Sequence, residues 1–519
     1  MSVKDMEKIK PMLFTALKGY TKKQFFNDLV AGIIVAVIAL PLSIALALAS
    51  GVGPEEGLYT AIVAGFLISF LGGSRVQIAG PTAAFATIVA GIVNKNGMDG
   101  LALATVMAGI LLVVMGLLRL GSLIRFIPYT ITTGFTAGIA VTILVGQLKD
   151  FFGLTYPEGV KPIETTEKIK AFGENIATVN GWAVLVGVAA LAILILWPKI
   201  SKKIPGSLIA ILVGIGMVKL LRLPVNTIGD LYRVSSALPS FRLPSFDLHS
   251  VITVFPDAVT IAVLAAIESL LSCVVADGMI GDKHRSNTEL VAQGIGNVGS
   301  ALFGGIPATG AIARTAANIK NGGRTPVSGM VHAAVLLLIL VVLMPYAALI
   351  PMPVIAAILF HVAYNMCQWR PFVKIVRTAP KSDVLILVLT FVLTVVFDLV
   401  VAIAVGMVLA CVVFMKNMSD HTTMEVRESE DETVFTVHGS LFFGTSEKIG
   451  SITVADKAIV LDFSQVTVID ATALKELLAL RDRCAQKGVP MKIVNTDASL
   501  QKALAKADLA ETAAETVNV

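Results

Sequence analysis

The stretch Phe303-Gly-Gly-Ile-Pro-Ala-Thr-Gly-Ala-Ile-Ala-Arg314 constrains this chain most. It sets glycines, a proline and an arginine inside a protein otherwise apolar enough to live in lipid. Hydrocarbon offers irregular backbone no hydrogen-bond partners, so such a break survives only when buried in protein or lining a cavity. An intramembrane arginine is costly and marks a functional site by default. A helix that begins just after the break directs its free N–H groups and the positive end of its dipole at an anion. The stretch therefore reads as half of an anion-binding site.

The rest of the chain supplies the membrane. Of its 519 residues, 55% are hydrophobic and 15% charged, which fits no soluble class. Apolar segments are expected at 28–50, 55–72, 77–93, 101–120, 127–148, 179–197, 204–220, 251–276, 287–303, 308–319, 326–349, 351–366, 383–398 and 399–415. The segments 77–93 and 308–319 fall short of the ~20 residues a spanning helix needs, and each opens on Gly/Pro. The net charge of +5 sits in short loops between apolar runs and gives no sign of nucleic-acid binding. No GxxxxGK[ST] loop indicates ATP-driven transport, and no nucleophile–base arrangement indicates an enzyme. Cys273, Cys367, Cys411 and Cys484 form no CxxC pair and read as small buried hydrophobes. His332 and His361 show no metal spacing. The run 29–49 is too long for a secretory signal and has no clear cleavage site.

Residues 1–27 carry Lys4, Lys8, Lys10, Lys18, Lys22 and Lys23 around apolar Met12, Leu13, Phe14 and Leu17, and are expected to form an amphipathic helix on the membrane surface. With that end cytoplasmic, the cytoplasmic loops hold Arg75, Arg119, Arg125, Lys199, Lys202, Lys203, Lys283, Arg285, Lys320, Arg324, Arg370, Lys374, Arg377 and Lys381. The short loops opposite are almost free of Lys and Arg. Fourteen segments place both termini inside. Asp277, Asp282, Lys283, His284 and Arg285 read as a solvated loop.

A repeat is visible. Phe70-Leu-Gly-Gly73 precedes Gly80-Pro-Thr-Ala-Ala84, and Leu302-Phe-Gly-Gly305 precedes Pro307-Ala-Thr-Gly-Ala311. With seven segments per copy the copies are inverted in the membrane. Paired broken helices in inverted repeats mark secondary transporters, with the site near the midplane. Glycine-rich helices that merely pack closely are the alternative. After Lys416 the chain turns charged. Strands at 434–438, 458–463 and 491–494 and helices at 471–485 and 498–509 describe a small α/β domain over 417–519, following a transmembrane domain over 28–416.

Taken together, these residues resemble the sulfate permease (SulP) family, bacterial relatives of pendrin and prestin. The resemblance rests on Asp28-Leu-Val-Ala-Gly32, Leu40-Pro-Leu-Ser-Ile-Ala45, Gly57-Leu-Tyr-Thr-Ala61, Ile78-Ala-Gly-Pro-Thr-Ala-Ala84, Ala266-Ile-Glu-Ser-Leu-Leu-Ser272 and the stretch 309–318. The tail Leu461-Asp-Phe-Ser-Gln-Val-Thr-Val-Ile-Asp-Ala-Thr472 resembles a STAS domain. Leu42 departs from the glutamine many relatives carry after the proline. Ser43 remains polar there. The resemblance implies core and gate domains built from seven-plus-seven inverted repeats, elevator-like transport of small anions, usually a homodimer, and third and tenth half-helices meeting N-terminus to N-terminus around the substrate.

On this reading the backbone of Pro81, Thr82, Ala83 and Ala84 faces that of Thr309, Gly310, Ala311 and Ile312, with Ser43 close by. Each helix end carries roughly half a positive charge. The Thr82 and Thr309 hydroxyls either add donors or satisfy local backbone. Arg314 either supplies charge or acts as a strut. Glu268, with Ser269 and Ser272 a turn along, is the candidate proton carrier, an ion pair with Arg314 being its structural alternative. Relatives with aspartate at that place go with sodium coupling, so the glutamate points to protons, with Na+ as the other choice and no further cofactor. Asp470 caps a helix, and the resemblance marks Thr472 as the hydroxyl that is phosphorylated in regulatory STAS domains.

The expectation is a proton-coupled secondary anion transporter in a bacterial inner membrane. Its substrate is a dicarboxylate such as fumarate or succinate, or else sulfate or bicarbonate. An anion channel, a nucleobase permease of the same architecture, and a membrane anchor presenting the tail to an unknown cytoplasmic partner are the alternatives.

Overall fold

The structure is a computed structural model and describes residues 9–122, 127–157, 160, 162, 164–201, 204–397 and 399–509. It divides into two compact units, 1–406 and 407–519. Lys4, Lys8, Arg125, Lys202 and Lys203, used above to orient the chain, lie outside the described residues.

Every expected apolar segment contains helix, and the last of these helices runs from the first unit into the second. In chain order the long helices are Lys22–Ala49, Pro54–Leu71, Ala86–Leu117, Tyr129–Gly146, Gly181–Ile200, Gly206–Leu220, Leu248–Ile280, Ser286–Leu302, Val327–Ala347, Met352–Cys367, Lys381–Val396 and Leu399–His421. The Ala86–Leu117 helix covers two expected segments and is broken at Gly97, whose φ of 68° interrupts it. Among the described residues, nine helices are long and apolar enough to cross a bilayer.

The helices pack in two sets. One gathers Lys22–Ala49, Pro54–Leu71, Ala86–Leu117, Leu248–Ile280, Ser286–Leu302 and Val327–Ala347, with the half-helix Ile312–Lys320 among them. The other gathers Tyr129–Gly146, Gly181–Ile200, Gly206–Leu220, Met352–Cys367 and Lys381–Val396. Small residues allow close approach: a Cβ on Gly109 would strike the Gly294 carbonyl of the facing helix.

The N-terminal segment departs from expectation. Among its described residues the short helix is Leu13–Ala16, and the first long helix already begins at Lys22, capped by the Thr21 side chain. Met12 and Leu13 are buried in protein rather than turned to lipid, and the Met12 N–H donates to the Gly72 carbonyl at 2.8 Å. At the Gly72-Gly73 break this segment thus satisfies the Gly72 carbonyl, while the Arg285 N–H satisfies that of Gly73 at 3.0 Å. The 282–285 region is likewise no solvated loop. Arg285 is buried and donates to the Lys10 carbonyl at 2.8 Å and the Thr15 hydroxyl at 3.0 Å. His284 sits 2.7 Å from Asp277, and Arg75 pairs with Asp282 at 2.6 Å. Cys411 is exposed and Cys367 half-buried, so burial describes only Cys273 and Cys484.

The second unit holds a four-stranded sheet: β3 (Thr423–Glu428), β4 (Glu432–Leu441), β5 (Ala458–Ile469) and β6 (Met491–Val494), in that spatial order. The β3–β4 pair is antiparallel and the other two are parallel. Helices Ala471–Gln486 and Ala498–Lys506 join its core, which buries Leu461, Phe463, Leu477 and Ile493. Strand β3 was not expected. It is an exposed edge strand whose charges hide it from any apolar-periodicity reading.

Candidate functional site

Two short strands organise the site. In β1 (Ala79–Gly80) and β2 (Thr309–Gly310), Ala79 lies opposite Gly310 and Gly80 opposite Thr309 in an antiparallel bridge. The Ala311 N–H extends the bridge to the Ile78 carbonyl at 2.9 Å. Both glycines make room for side-chain ends: a Cβ on Gly80 would displace the Arg314 guanidinium, and one on Gly310 the Gln77 amide.

Each strand leads straight into a helix. After β1, Thr82 is extended and precedes the 3-10 turn Ala83–Phe85, which runs into Ala86–Leu117. After β2, Ala311 is extended and precedes Ile312–Lys320. Neither N-cap makes a side-chain capping bond. The first N–H groups of both helices are therefore left for another partner. Two bare, positive helix ends meet across one antiparallel bridge.

Around these ends the expected residues take definite places. Thr82 donates its hydroxyl to Glu268 Oε2 at 2.9 Å. Thr309 turns its hydroxyl inward, 2.6 Å from Ser269 Oγ, and the Gly310 N–H donates to the same Ser269 oxygen at 3.1 Å. Thr309 thus serves local structure, while Thr82 joins a helix cap to an acid. Pro81, Ala83, Ala84 and Ala311 are buried, Ile312 is half-buried, and Ala313 is exposed at the first turn. Ser272 lies 3.5 Å from Thr315 and packs within the helices. Ser43 is fully buried in Lys22–Ala49, and its hydroxyl has no partner among the described residues. Asp470 and Thr472 belong to the second unit. Asp470 caps Ala471–Gln486 through the Ala473 N–H at 2.9 Å, and Thr472 is exposed.

Arg314 is 1% exposed. Its Nη2 donates to the Pro81 carbonyl at 3.0 Å, on the arm opposite its own. Its Nε and Nη1 are buried without partners, and it forms no ion pair with Glu268 among the described residues. Glu268 itself is half-buried and turned to Thr82. The direct ion pair weighed above is absent, although the two opposite charges lie close enough to attract each other, and two guanidinium nitrogens stay unbonded beside the helix ends.

The sequence reading missed the scaffold. One face of Ser286–Leu302 carries Glu289, Gln293, Asn297 and Ser300, all fully buried. Glu289 accepts from the Gly73 and Ser74 N–H groups at 2.8 and 3.1 Å and from Gln77 and Gln293 at 3.0 and 2.9 Å. Asn297 brackets Ala308, accepting from its N–H and donating to its carbonyl, both at 2.9 Å. Ser300 donates to the Ile306 carbonyl at 2.7 Å. A single helix face thus satisfies the irregular backbone that leads into both arms. The signal was present as polar residues at i, i+4, i+8 and i+11 in an apolar helix. Asp28 was also missed: it accepts from Thr325, the Arg324 N–H and Tyr20, tying Lys22–Ala49 to the turn that follows the second half-helix. His332 is fully buried with neither ring nitrogen bonded, beside Gly65 and within the field of Arg314.

Two cavities of about 390 and 250 Å³ lie elsewhere. The larger is lined by Glu55, Glu56, Tyr59 and Arg242, and neither reaches the helix ends. Among the described residues no cluster of three His, Cys, Asp or Glu is placed to hold a metal.

Comparison with known proteins places this geometry in a family. Residues 25–390 match the sulfate permease family and residues 423–518 the STAS domain. The chain is 41% identical over 509 residues to the putative sulfate transporter YvdB of Bacillus subtilis, covering 95% of each chain. It is 32% identical to the bicarbonate transporter BicA of Synechocystis, covering 92% of this chain and 90% of that one. The transmembrane domain of a cyanobacterial BicA superposes with a TM-score of 0.66 at 31% identity, over 75% of this chain and 98% of that one. SLC26A9 shares the fold, with a TM-score of 0.86 over 99% of this chain and 92% of that one, at 19% identity. The protein is a member of the sulfate permease family with a C-terminal STAS domain.

Proposed function

We propose that this protein carries a small anion across the membrane, holding it between the N-termini that begin at Thr82 and Ala311. The observation that carries the reading is the pair of uncapped helix ends joined by one strand bridge, with Arg314 buried beside them and two of its nitrogens unpaired. Each end is worth up to ~2 kcal/mol to a partly buried anion, and Arg314 adds a full charge. Relatives named as sulfate and bicarbonate transporters support a compact oxyanion as cargo. Fumarate and succinate stay on the panel, because helix ends select charge more than identity.

Glu268 supplies the coupling. Its carboxylate, hydrogen-bonded to the cap of the first half-helix, places negative charge where the cargo's charge must go. A proton on Glu268 removes that repulsion, so proton and anion load together and symport follows. Sodium balancing the same carboxylate is the second reading, favoured only by the acid's half-exposure. The movement is an elevator. The set of helices that holds both arms, locked by the buried face of Ser286–Leu302, travels against the other set as one body. The molecule works as a homodimer in a bacterial inner membrane with both termini cytoplasmic, and its STAS domain meets a cytoplasmic partner still to be identified.

The test is uptake into proteoliposomes of labelled sulfate, bicarbonate, fumarate and succinate, each under an imposed proton or sodium gradient. Concentrative uptake of one of these driven by protons alone is expected. Sodium-driven uptake overturns the coupling, and currents far above carrier turnover overturn the carrier.

A further inference from the structure

Among the described residues, the helix Trp369–Thr378 differs from the other helices of comparable length in the first unit: none of its residues is buried. It follows the helix Met352–Cys367 across Gln368, held in the left-handed region at φ 45°, and ends just before the helix beginning at Lys381. A left-handed residue outside glycine is uncommon and here turns the chain sharply between an apolar helix and a surface one.

The residue pattern is two-sided. Trp369, Phe372, Val373 and Val376 recur at i, i+3, i+4 and i+7 and form an apolar face. Part of that face is anchored, since the Phe372 and Phe391 rings meet edge-on at 5.5 Å. Trp369 and Val376 are left 46% and 42% exposed. Arg370, Lys374 and Arg377 recur at i, i+4 and i+7 on an adjoining face, and all three are exposed. Among the described residues none of the three has an acidic partner. Arg370 lies over the Trp369 ring at 5.6 Å, and the Trp369 indole donates to the Tyr364 hydroxyl at 3.3 Å. Tryptophan and tyrosine side by side mark the headgroup level of a bilayer. A helix with one apolar face and a row of unpaired cations at that level lies in the interface plane.

We propose that the Trp369–Thr378 helix is a docking surface for anionic phospholipid headgroups, with Arg370, Lys374 and Arg377 making the phosphate contacts. Charge complementarity commits the site to this occupant. Three cations without acids attract anionic lipid, while a zwitterionic headgroup brings a cation of its own. The tie between Phe372 and Phe391 means that lipid bound here bears on the Lys381–Val396 helix, which packs on Tyr129–Gly146.

Trp369 makes the test local. The chain has three tryptophans, and Trp182→Phe with Trp197→Phe leaves Trp369 as the sole reporter. The full-length protein is placed in vesicles of phosphatidylcholine with phosphatidylglycerol at equal mole fraction, with either lipid brominated in turn. Brominated phosphatidylglycerol is expected to quench Trp369 about threefold more than brominated phosphatidylcholine at low ionic strength, falling toward parity in 1 M salt. The triple change Arg370→Gln, Lys374→Gln, Arg377→Gln is expected to abolish the preference, whereas Arg370→Lys with Arg377→Lys keeps it. Equal quenching by the two lipids in the otherwise unsubstituted helix overturns the proposal and needs no variant to fold. A preference that survives the triple change assigns the lipid to other residues and overturns it equally.

Discussion

Arg314 reaches across the two-residue bridge to donate to the Pro81 carbonyl at 3.0 Å, so the charge carried by one half-helix is fastened to the arm of the other. Two of its nitrogens remain buried and unpaired, an expense that a structural arginine would not carry unanswered. Removing the charge separates binding from folding. Arg314→Gln is expected to weaken anion affinity about tenfold or more, ~1.4 kcal/mol. Thermal stability in detergent should change little, because the lost bond to Pro81 and the relieved burial of charge oppose each other. Wild-type affinity in this variant, read by titration calorimetry, would remove Arg314 from the site.

Glu268→Gln keeps a hydrogen-bond acceptor for Thr82 but cannot cycle a proton. The variant should still bind anion, exchange it across the membrane, and lose accumulation driven by a pH gradient. Retained pH-driven accumulation in proteoliposomes would end the coupling role.

Ala311 caps the second half-helix and is 8% exposed, so a large side chain there crowds the helix ends. Ala311→Phe is expected to reduce uptake at least about tenfold, a loss of ~1.4 kcal/mol in the productive complex, alongside about 1–3 kcal/mol of overpacking read as a lower melting temperature. Unaltered uptake would place the cargo elsewhere.

Glu289 accepts four hydrogen bonds that hold the first break and its neighbours. Glu289→Ala strands those donors in a dry interior and should cost about 3 kcal/mol or more. Glu289→Gln, which retains one acceptor oxygen, should cost less. Melting in detergent reads both. A Glu289→Gln variant that melts normally yet loses pH-driven transport would mean that the acid carries protons instead of holding backbone.

In the C-terminal unit, Asp470→Ala removes the cap on Ala471–Gln486 and should loosen that helix by about 1 kcal/mol, while Asp470→Asn stays close to wild type. Amide hydrogen exchange across 471–486 measures both. Equal protection in the two variants would show that Asp470 does not act through the cap.

The fold was legible where hydrophobic runs are long or begin with Gly/Pro. The helices and the two broken arms follow from apolar length, the Phe-Gly-Gly repeats and the cost of bare backbone in lipid. Glu289, Gln293 and Asn297 were not legible, because their segment was read for apolar content and its one polar face was averaged away. Strand β3 escaped for the opposite reason, its charges masking an edge. Arg314 stood out as an intramembrane charge, but its tie to Pro81 joins residues 233 positions apart, which no local pattern encodes. Thr82 and Thr309 look equivalent in sequence, yet only Thr82 turns to the acid. The difference arises from Ser269, which engages Thr309 first.

The β1–β2 bridge carries just two residue pairs, and side chains in a strand alternate faces, so a slip of one position would turn an arm over. One residue gained or lost between Ile78 and Thr82, or between Ala308 and Ala311, would preserve both helices and leave their ends pointing past each other. Chain length in these few positions is therefore fixed as rigidly as any side chain. An insertion or deletion at this clasp would disable the site without unfolding the helices that frame it.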